Sequence, residues 1–269
     1  MNGMVRAVRA ELVKLTTTWV WWGLLLVALL LVLLNVGLVA ALGPVDAEGA
    51  EAFPFPLLST AEGQLALVAS GYQAGYLMAA VVGTLVATSD FRTGTIAQTF
   101  LAVPRRGRVA AAKLVVSALV GLLYGVAVQL VSLLTAAAVL AVRGVDLAPL
   151  DQLARPLALG VLGVGVWALI GVAFGLLVRQ QVVALVVVVL VVFLLDPLLV
   201  LALTAVGEVG GVDLAVVAPY LLTSASTAVV EGFTGGELLS WWAGLLVLLG
   251  WVAVLGVLGW RTTLRRDVT

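Results

Sequence analysis

Two carboxylates stand apart from the other acids of this chain. Asp90 lies in the run Ser89-Asp90-Phe91-Arg92-Thr93-Gly94-Thr95-Ile96, and Asp196 lies in Phe193-Leu194-Leu195-Asp196-Pro197. Asp196 interrupts an apolar run, where a charge at the bilayer centre costs about 2.5–3.5 kcal/mol on insertion scales, so a functional role is its default reading. The chemistry open to either acid is narrow. The sequence has no His and no Cys. That removes the commonest general base, the commonest metal ligand, thiolate sites and every imidazole-based triad. Carboxylate-only metal sites stay open in principle. No G-x-x-x-x-G-K-[ST] loop is present, so no phosphate cradle is encoded and any ATP must be handled by a partner. No apolar run carries paired acids, which argues against an intramembrane phosphotransferase or protease.

The elements that carry these residues follow from composition. Of 269 residues, 63% are hydrophobic and only 10% are charged, against about 25% charged in a soluble domain. Mean hydropathy is +1.23. A water-soluble globule could not hide so much apolar surface, so lipid is the solvent for most of the chain. Six stretches reach the roughly 20 apolar residues a spanning helix needs: 19–42, 65–88, 114–142, 156–178, 182–205 and 239–260. Their apolar runs are continuous and do not alternate, so they are read as helices and not as barrel strands. The expected fold is an all-α integral membrane protein with six transmembrane helices.

Charge sorts the loops. Arg6, Arg9 and Lys14 precede the first span; Arg92, Arg105, Arg106, Arg108 and Lys113 lie between the second and third; Arg179 follows the fourth; Arg261, Arg265 and Arg266 follow the sixth. Twelve of fourteen cations therefore share one side, and only Arg143 and Arg155 fall on the other. The positive-inside rule places that side, with both termini, in the cytoplasm. The opposite loops collect acids such as Glu62, Asp146, Asp151, Glu208 and Glu231. Trp19, Trp21 and Trp22 at the inner edge of span one, and Trp241 and Trp242 at the outer edge of span six, read as an interfacial aromatic belt. The apolar run of span one is longer than a signal peptide's and no small-x-small site follows it, so this span is expected to be retained. The formal net charge is zero, which gives no electrostatic case for nucleic acid.

The resulting organisation is an amphipathic interfacial helix over 1–18, a six-helix domain over 19–260 and a basic cytoplasmic tail over 261–269. A cytoplasmic loop covers 89–113, and outer loops cover 43–64, 143–155 and 206–238. On a helical wheel, Met4, Val5, Val8, Leu12 and Leu15 form an apolar sector, with Arg6, Arg9, Glu11 and Lys14 assigned to the other half. That is the pattern of a helix lying in the membrane surface, bending into span one near Thr16–Thr18. Arg6, Arg9, Lys14, Trp19, Trp22, Arg105, Arg106 and Arg108 are its expected interface anchors. In the loop, a helix over 94–101 would put Ile96, Ala97, Phe100 and Leu101 on one face and Thr95, Gln98 and Thr99 on the other. Pro104 is expected to end it. A surface of this kind can dock a soluble partner.

The loop resembles the first cytoplasmic loop of type-2 ATP-binding-cassette (ABC) exporter permeases. The likeness rests on Ser89-Asp90-Phe91-Arg92-Thr93-Gly94-Thr95-Ile96, Thr99-Phe100-Leu101, Val103-Pro104-Arg105-Arg106-Gly107-Arg108 and Ala111-Ala112-Lys113, in that order. Arg9-Ala10-Glu11-Leu12-Val13-Lys14-Leu15 is similar to the family's elbow helix, and Arg265-Arg266-Asp267-Val268 to its usual end. The acid is Asp90 where Glu is more usual. The resemblance implies a permease that pairs with a second copy or a homologue as a dimer. It binds two separate ABC ATPase subunits and carries no cofactor itself, ATP and Mg belonging to the partner. It also implies a coupling helix whose contact with the ATPase includes Asp90, Phe91, Arg92, Gly94, Thr95 and Gln98. The expected location is the plasma (inner) membrane of a prokaryote, multi-pass.

Asp196-Pro197 has two readings, a structural helix break and a group on a transport path. Type-2 permeases have an acid-Pro pair similar to this one, followed by short re-entrant helices before the last span, and the resemblance implies the same for segment 206–238, which Gly207, Gly210, Gly211 and Pro219 break. Asn35, Gln129 and Ser132 are expected to hydrogen-bond between helices, and Gly121/Gly125 and Gly171/Gly175 match the spacing for close helix approach. The leading function is the membrane subunit of an ATP-driven exporter of a hydrophobic or amphipathic cargo. The alternatives are an ion-coupled carrier using Asp196 and a non-transporting immunity or regulatory protein.

Overall fold

The computed structural model describes residues 3–45, 57–102, 106–178, 180–210, 214–231 and 239–264. Apolar side chains in runs, with backbone groups that lipid cannot satisfy, leave helix as the outcome. Among the described residues there is no strand. The helices are α1 (Gly3–Thr16), α2 (Val20–Leu42), α3 (Ala61–Arg92), α4 (Ile96–Ala102), α5 (Arg106–Val142), α6 (Leu150–Leu177), α7 (Gln181–Leu190), α8 (Asp196–Gly210), α9 (Leu222–Glu231) and α10 (Trp241–Gly259). A π-helical turn, Val191–Leu195, joins α7 to α8, and a 3₁₀ turn, Leu214–Tyr220, precedes α9. Six helices are long and apolar enough to cross a membrane, with α7 and α8 acting as one continuous rod, Gln181–Val206. The chain is a multi-pass membrane protein.

Helix ends depart from the sequence reading. With 32 residues, α3 is about 48 Å long at 1.5 Å per residue, well beyond the ~30 Å hydrocarbon core. It runs through Asp90 to Arg92, and α5 begins at Arg106, so the 89–113 loop shrinks to a short connection around α4. Likewise the Asp196-Pro197 pair does not end span five. Pro197 has no N–H for the bond one turn back, and the wider π turn absorbs the mismatch. There the Asp196 N–H donates to Val191 O. Between α1 and α2 the bend falls at Thr16–Thr18 as expected, where the hydroxyls of Thr16, Thr17 and Thr18 donate to the last carbonyls of α1.

α6 is the centre. It is the most buried of the six spans and packs on α3, α5, α7, α9 and α10. Small residues let the backbones meet. A Cβ on Gly83 would strike Ala168 O, one on Gly171 would strike Ala80 O, and Gly121, Gly125 and Gly175 are equally closed in. Both glycine pairs singled out by spacing therefore lie at real helix crossings, α5 on α6 and α6 on α3. Thr84 Oγ1 adds a hydrogen bond to Gly171 O at 3.0 Å. Of the lone polar residues, Ser132 donates to Val68 O as expected. Gln129 is buried without a hydrogen-bond partner among the described residues. Asn35 is exposed on α2 and makes no bond across to another helix among them.

Candidate functional site

Asp90 organises one end of the bundle. It sits in the last turn of α3 and is 1% exposed. Lys14 Nζ of α1 donates to its Oδ1 at 2.7 Å, and Lys113 Nζ of α5 stands 2.8 Å from its Oδ2. The same lysines hold Glu11, with Lys14 at 2.7 Å from Oε1 and Lys113 at 2.8 Å from Oε2. Two acids and two bases thus alternate around a closed ring drawn from α1, α3 and α5. Lys113 also donates to Val86 O at 2.8 Å. Burying a charge is tolerable only when it is paired and hydrogen-bonded, and the ring provides both for each member. Burial lowers the Lys14 pKa, but the hydrogen bonds and charges of Asp90 and Glu11 outweigh it and leave the group above its usual value.

The ring corrects the wheel assigned to α1. Glu11 is buried beside Ala7, at the flank of the apolar sector and not on a solvent face. The stripe Ala7, Glu11, Lys14 meets protein, while Arg6, Arg9, Val5 and Val13 are exposed. Neither Glu11 nor Lys113 is among the site residues that the sequence points to. The available signal was a single acid in a cationic helix, three residues before Lys14 and adjacent to the apolar stripe.

Next to the ring, α3 ends in a defined cap. Gly94 has φ +68°, the left-handed conformation that glycine adopts without a Cβ penalty. Its N–H donates to Phe91 O at 3.4 Å, and the Thr95 N–H reaches back to Asp90 O at 3.0 Å. This is the Schellman pattern, which terminates a helix and satisfies its last carbonyls. The Thr95 hydroxyl also donates to Asp90 Oδ1 at 3.4 Å. Asp90, Gly94 and Thr95 therefore have structural duties, and the Asp90 carboxylate faces the ring. Arg92, Thr93, Gly94 and Gln98 are exposed, and Phe91 is half-buried. On α4 the expected apolar face divides, since Ile96 is buried while Leu101 is 83% exposed.

Of the expected anchors, Trp19 is 77% exposed and rests against Trp22 with ring centroids 4.8 Å apart. Arg108 is exposed, with Lys14 half-buried in the ring. Arg105, the side chain of Arg106, Pro104 and the tail beyond 264 lie outside the described residues.

Asp196 has a different task. Its Oδ1 accepts the Leu222 N–H and its Oδ2 the Thr223 N–H, both at 2.9 Å, and the Thr223 hydroxyl donates to it as well. Those amides open α9, where helix N–H groups have no partner of their own and the dipole favours an anion. A residue from span five thus caps a short helix 26 positions later. α9 is pinned again at Ser226, whose Oγ lies 2.6 Å from Tyr72 Oη and accepts Trp167 Nε1–H at 2.7 Å. Tyr76 stacks on Trp167 with centroids 4.4 Å apart. This aromatic node had no signature in sequence beyond isolated aromatic and Ser residues in apolar runs. Pro197 is the second residue of α8.

Among the described residues no group of three or more acids could hold a metal ion. No family model matches the chain, and no curated protein matches it.

Proposed function

We propose that the chain is the membrane-spanning permease subunit of an ATP-driven exporter of the type-2 ABC class. It would pass the closure of a separate ATPase to its helices through α4. The observation that carries this reading is the placement of α4. A seven-residue helix with Leu101 and Gln98 exposed projects from the end of the bundle where the cations gather. It is held between α3 and α5, the two helices that the ion-pair ring ties to α1. A docking helix must transmit force, and a short helix on rigid supports does so where a free loop does not. The order of motifs from Arg9 to Lys113 supports the same family, as does the charge bias that places this end and both termini in the cytoplasm.

In this reading α1 is the elbow helix, α4 the coupling helix and α9 the re-entrant segment before the last span. Pairing with a second copy is supported by Asn35, a polar side chain exposed on an apolar span, since an amide facing lipid gains from a partner helix. The cargo class is hydrophobic or amphipathic. The location is the prokaryotic inner membrane. Asp196 favours no carrier mechanism, because its oxygens are taken by the start of α9.

The test uses the exposed positions, which can be altered without opening the ring. Membranes bearing the wild-type chain or the Gln98→Glu, Leu101→Asp double variant are solubilised in mild detergent and the chain is captured by an affinity tag. Recovery of an ATPase subunit with wild type and at least tenfold less with the variant, at equal chain yield, is the expected result. Equal recovery, or none after crosslinking in cells, overturns it.

A further inference from the structure

A cavity of about 190 Å³ opens at the α1–α2 bend, walled by α3 and by Gln181 at the start of α7. An apolar cavity of about 150 Å³ holds a benzene ring, so this one takes a phosphate group or several methylenes of a longer molecule. Three features of its wall point to the occupant. The first is charge. Glu11 and Lys14 line the cavity but are neutralised within the ring. Arg92 lines it too and has no ion pair among the described residues, so the cavity carries one surplus positive charge. The second is hydrogen bonding. Trp21 Nε1 and Gln181 Oε1 are buried with no hydrogen-bond partner among the described residues, and both residues line the cavity. Buried polar atoms normally have partners; the indole N–H calls for an acceptor such as a phosphate oxygen, and the amide oxygen calls for a donor such as a headgroup hydroxyl. The third is position. Trp19 precedes α2, and Trp21 and Trp22 lie in its first turn; such tryptophans mark the depth of lipid headgroups, with Val82, Leu85 and Val86 forming the apolar wall below.

We propose that this cavity seats the headgroup phosphate of an anionic phospholipid, with Arg92 as counter-ion and the Trp21 indole N–H as donor. The acyl chains continue along the apolar wall into the bilayer. A zwitterionic headgroup fits less well, because its ammonium group would approach Arg92. The site does not rest on the exporter reading; it shares Arg92 with the expected ATPase contact, and the readouts below follow lipid alone.

The experiment reads Trp21 fluorescence as the difference between wild type and Trp21→Phe in nonionic mixed micelles. Phosphatidylglycerol or phosphatidylcholine with brominated acyl chains is titrated in as quencher. Half-quenching by phosphatidylglycerol is expected at about fivefold lower mole fraction, the factor one Arg contributes near a lipid surface, and Arg92→Gln should remove the difference. Native mass spectrometry of wild type and Arg92→Gln gives a second reading free of the Trp21 substitution, with loss of retained phosphatidylglycerol expected in the variant. Equal quenching by the two lipids, an unchanged preference in Arg92→Gln, or full displacement of phosphatidylglycerol by millimolar inorganic phosphate each overturns the proposal, the last by making the site one for a free anion.

Discussion

Lys113 Nζ lies 2.8 Å from Glu11 Oε2, a buried ion pair between residues 102 positions apart. With Lys14 and Asp90 it closes a ring that fastens the N-terminal helix to the ends of two spans. Its members neutralise one another completely, so the ring's value lies in holding three helices in one arrangement more than in net stability.

Removing one member strands its neighbours. Lys113→Met leaves Glu11 and Asp90 sharing Lys14, and a broken buried pair costs about 3–5 kcal/mol. The single variants Lys113→Met and Glu11→Gln, with their double variant, form a cycle measurable by denaturant unfolding in detergent. A coupling energy above about 1 kcal/mol is expected. Single-variant losses within about 0.5 kcal/mol would show that the ring carries no weight.

The ring also has an alkaline limit. Hydrogen bonds and charges from Asp90 and Glu11 hold the Lys14 pKa above its usual value against burial. A raised folded-state pKa means that Lys14's contribution is complete below the unfolded value of 10.5 and fades as pH climbs through the folded one. A spin-label distance between α1 and α3 should therefore hold steady from pH 7 to about 10 and lengthen only above that. Lys14→Arg should keep it short at higher pH. Lengthening between pH 7 and 9 would contradict this account.

Asp196 acts as a cap, and caps are separable from proton-coupling groups by the amide variant. Asp196→Asn keeps an acceptor for α9, while Asp196→Ala leaves the Leu222 and Thr223 amides without one. Hydrogen exchange at these amides should rise about tenfold or more in Asp196→Ala, as loss of a charge-assisted bond worth about 1.5–3 kcal/mol implies. It should rise less in Asp196→Asn. Equal exchange in all three proteins would remove the cap.

Close backbone approach makes some glycines irreplaceable and leaves others free. Gly171→Ala would drive a methyl group into Ala80 O, whereas a Cβ on Gly250 meets nothing within 4 Å. The former should lose folded yield on size exclusion. The latter should be neutral or gain up to about 1 kcal/mol from helix propensity. Comparable yields for both would mean that α3 and α6 can part without consequence.

Much of the architecture was legible in the residues. Lipid acts as a solvent on each segment separately, so a long apolar run reports a span on its own; all six runs fall on helices, although α5 and α6 begin eight and six residues before the expected starts at 114 and 156. The bend at Thr16–Thr18, the two glycine pairs and Ser132 were legible for the same local reason. Gly94, expected to open the helix over 94–101, instead caps α3. What could not be read was partnership. Nothing in the order of residues says that Asp90 faces Lys14 and Lys113, that Asp196 reaches the first amides of α9, or that Asn35 stays outside. Charge pairing decays within a few ångströms and requires segments far apart in sequence to meet, which only helix packing decides. The sequence by itself therefore determined which segments enter the membrane and which end gathers the cations. The tertiary structure decided that its two conspicuous acids, Asp90 and Asp196, are each spent on holding helices together.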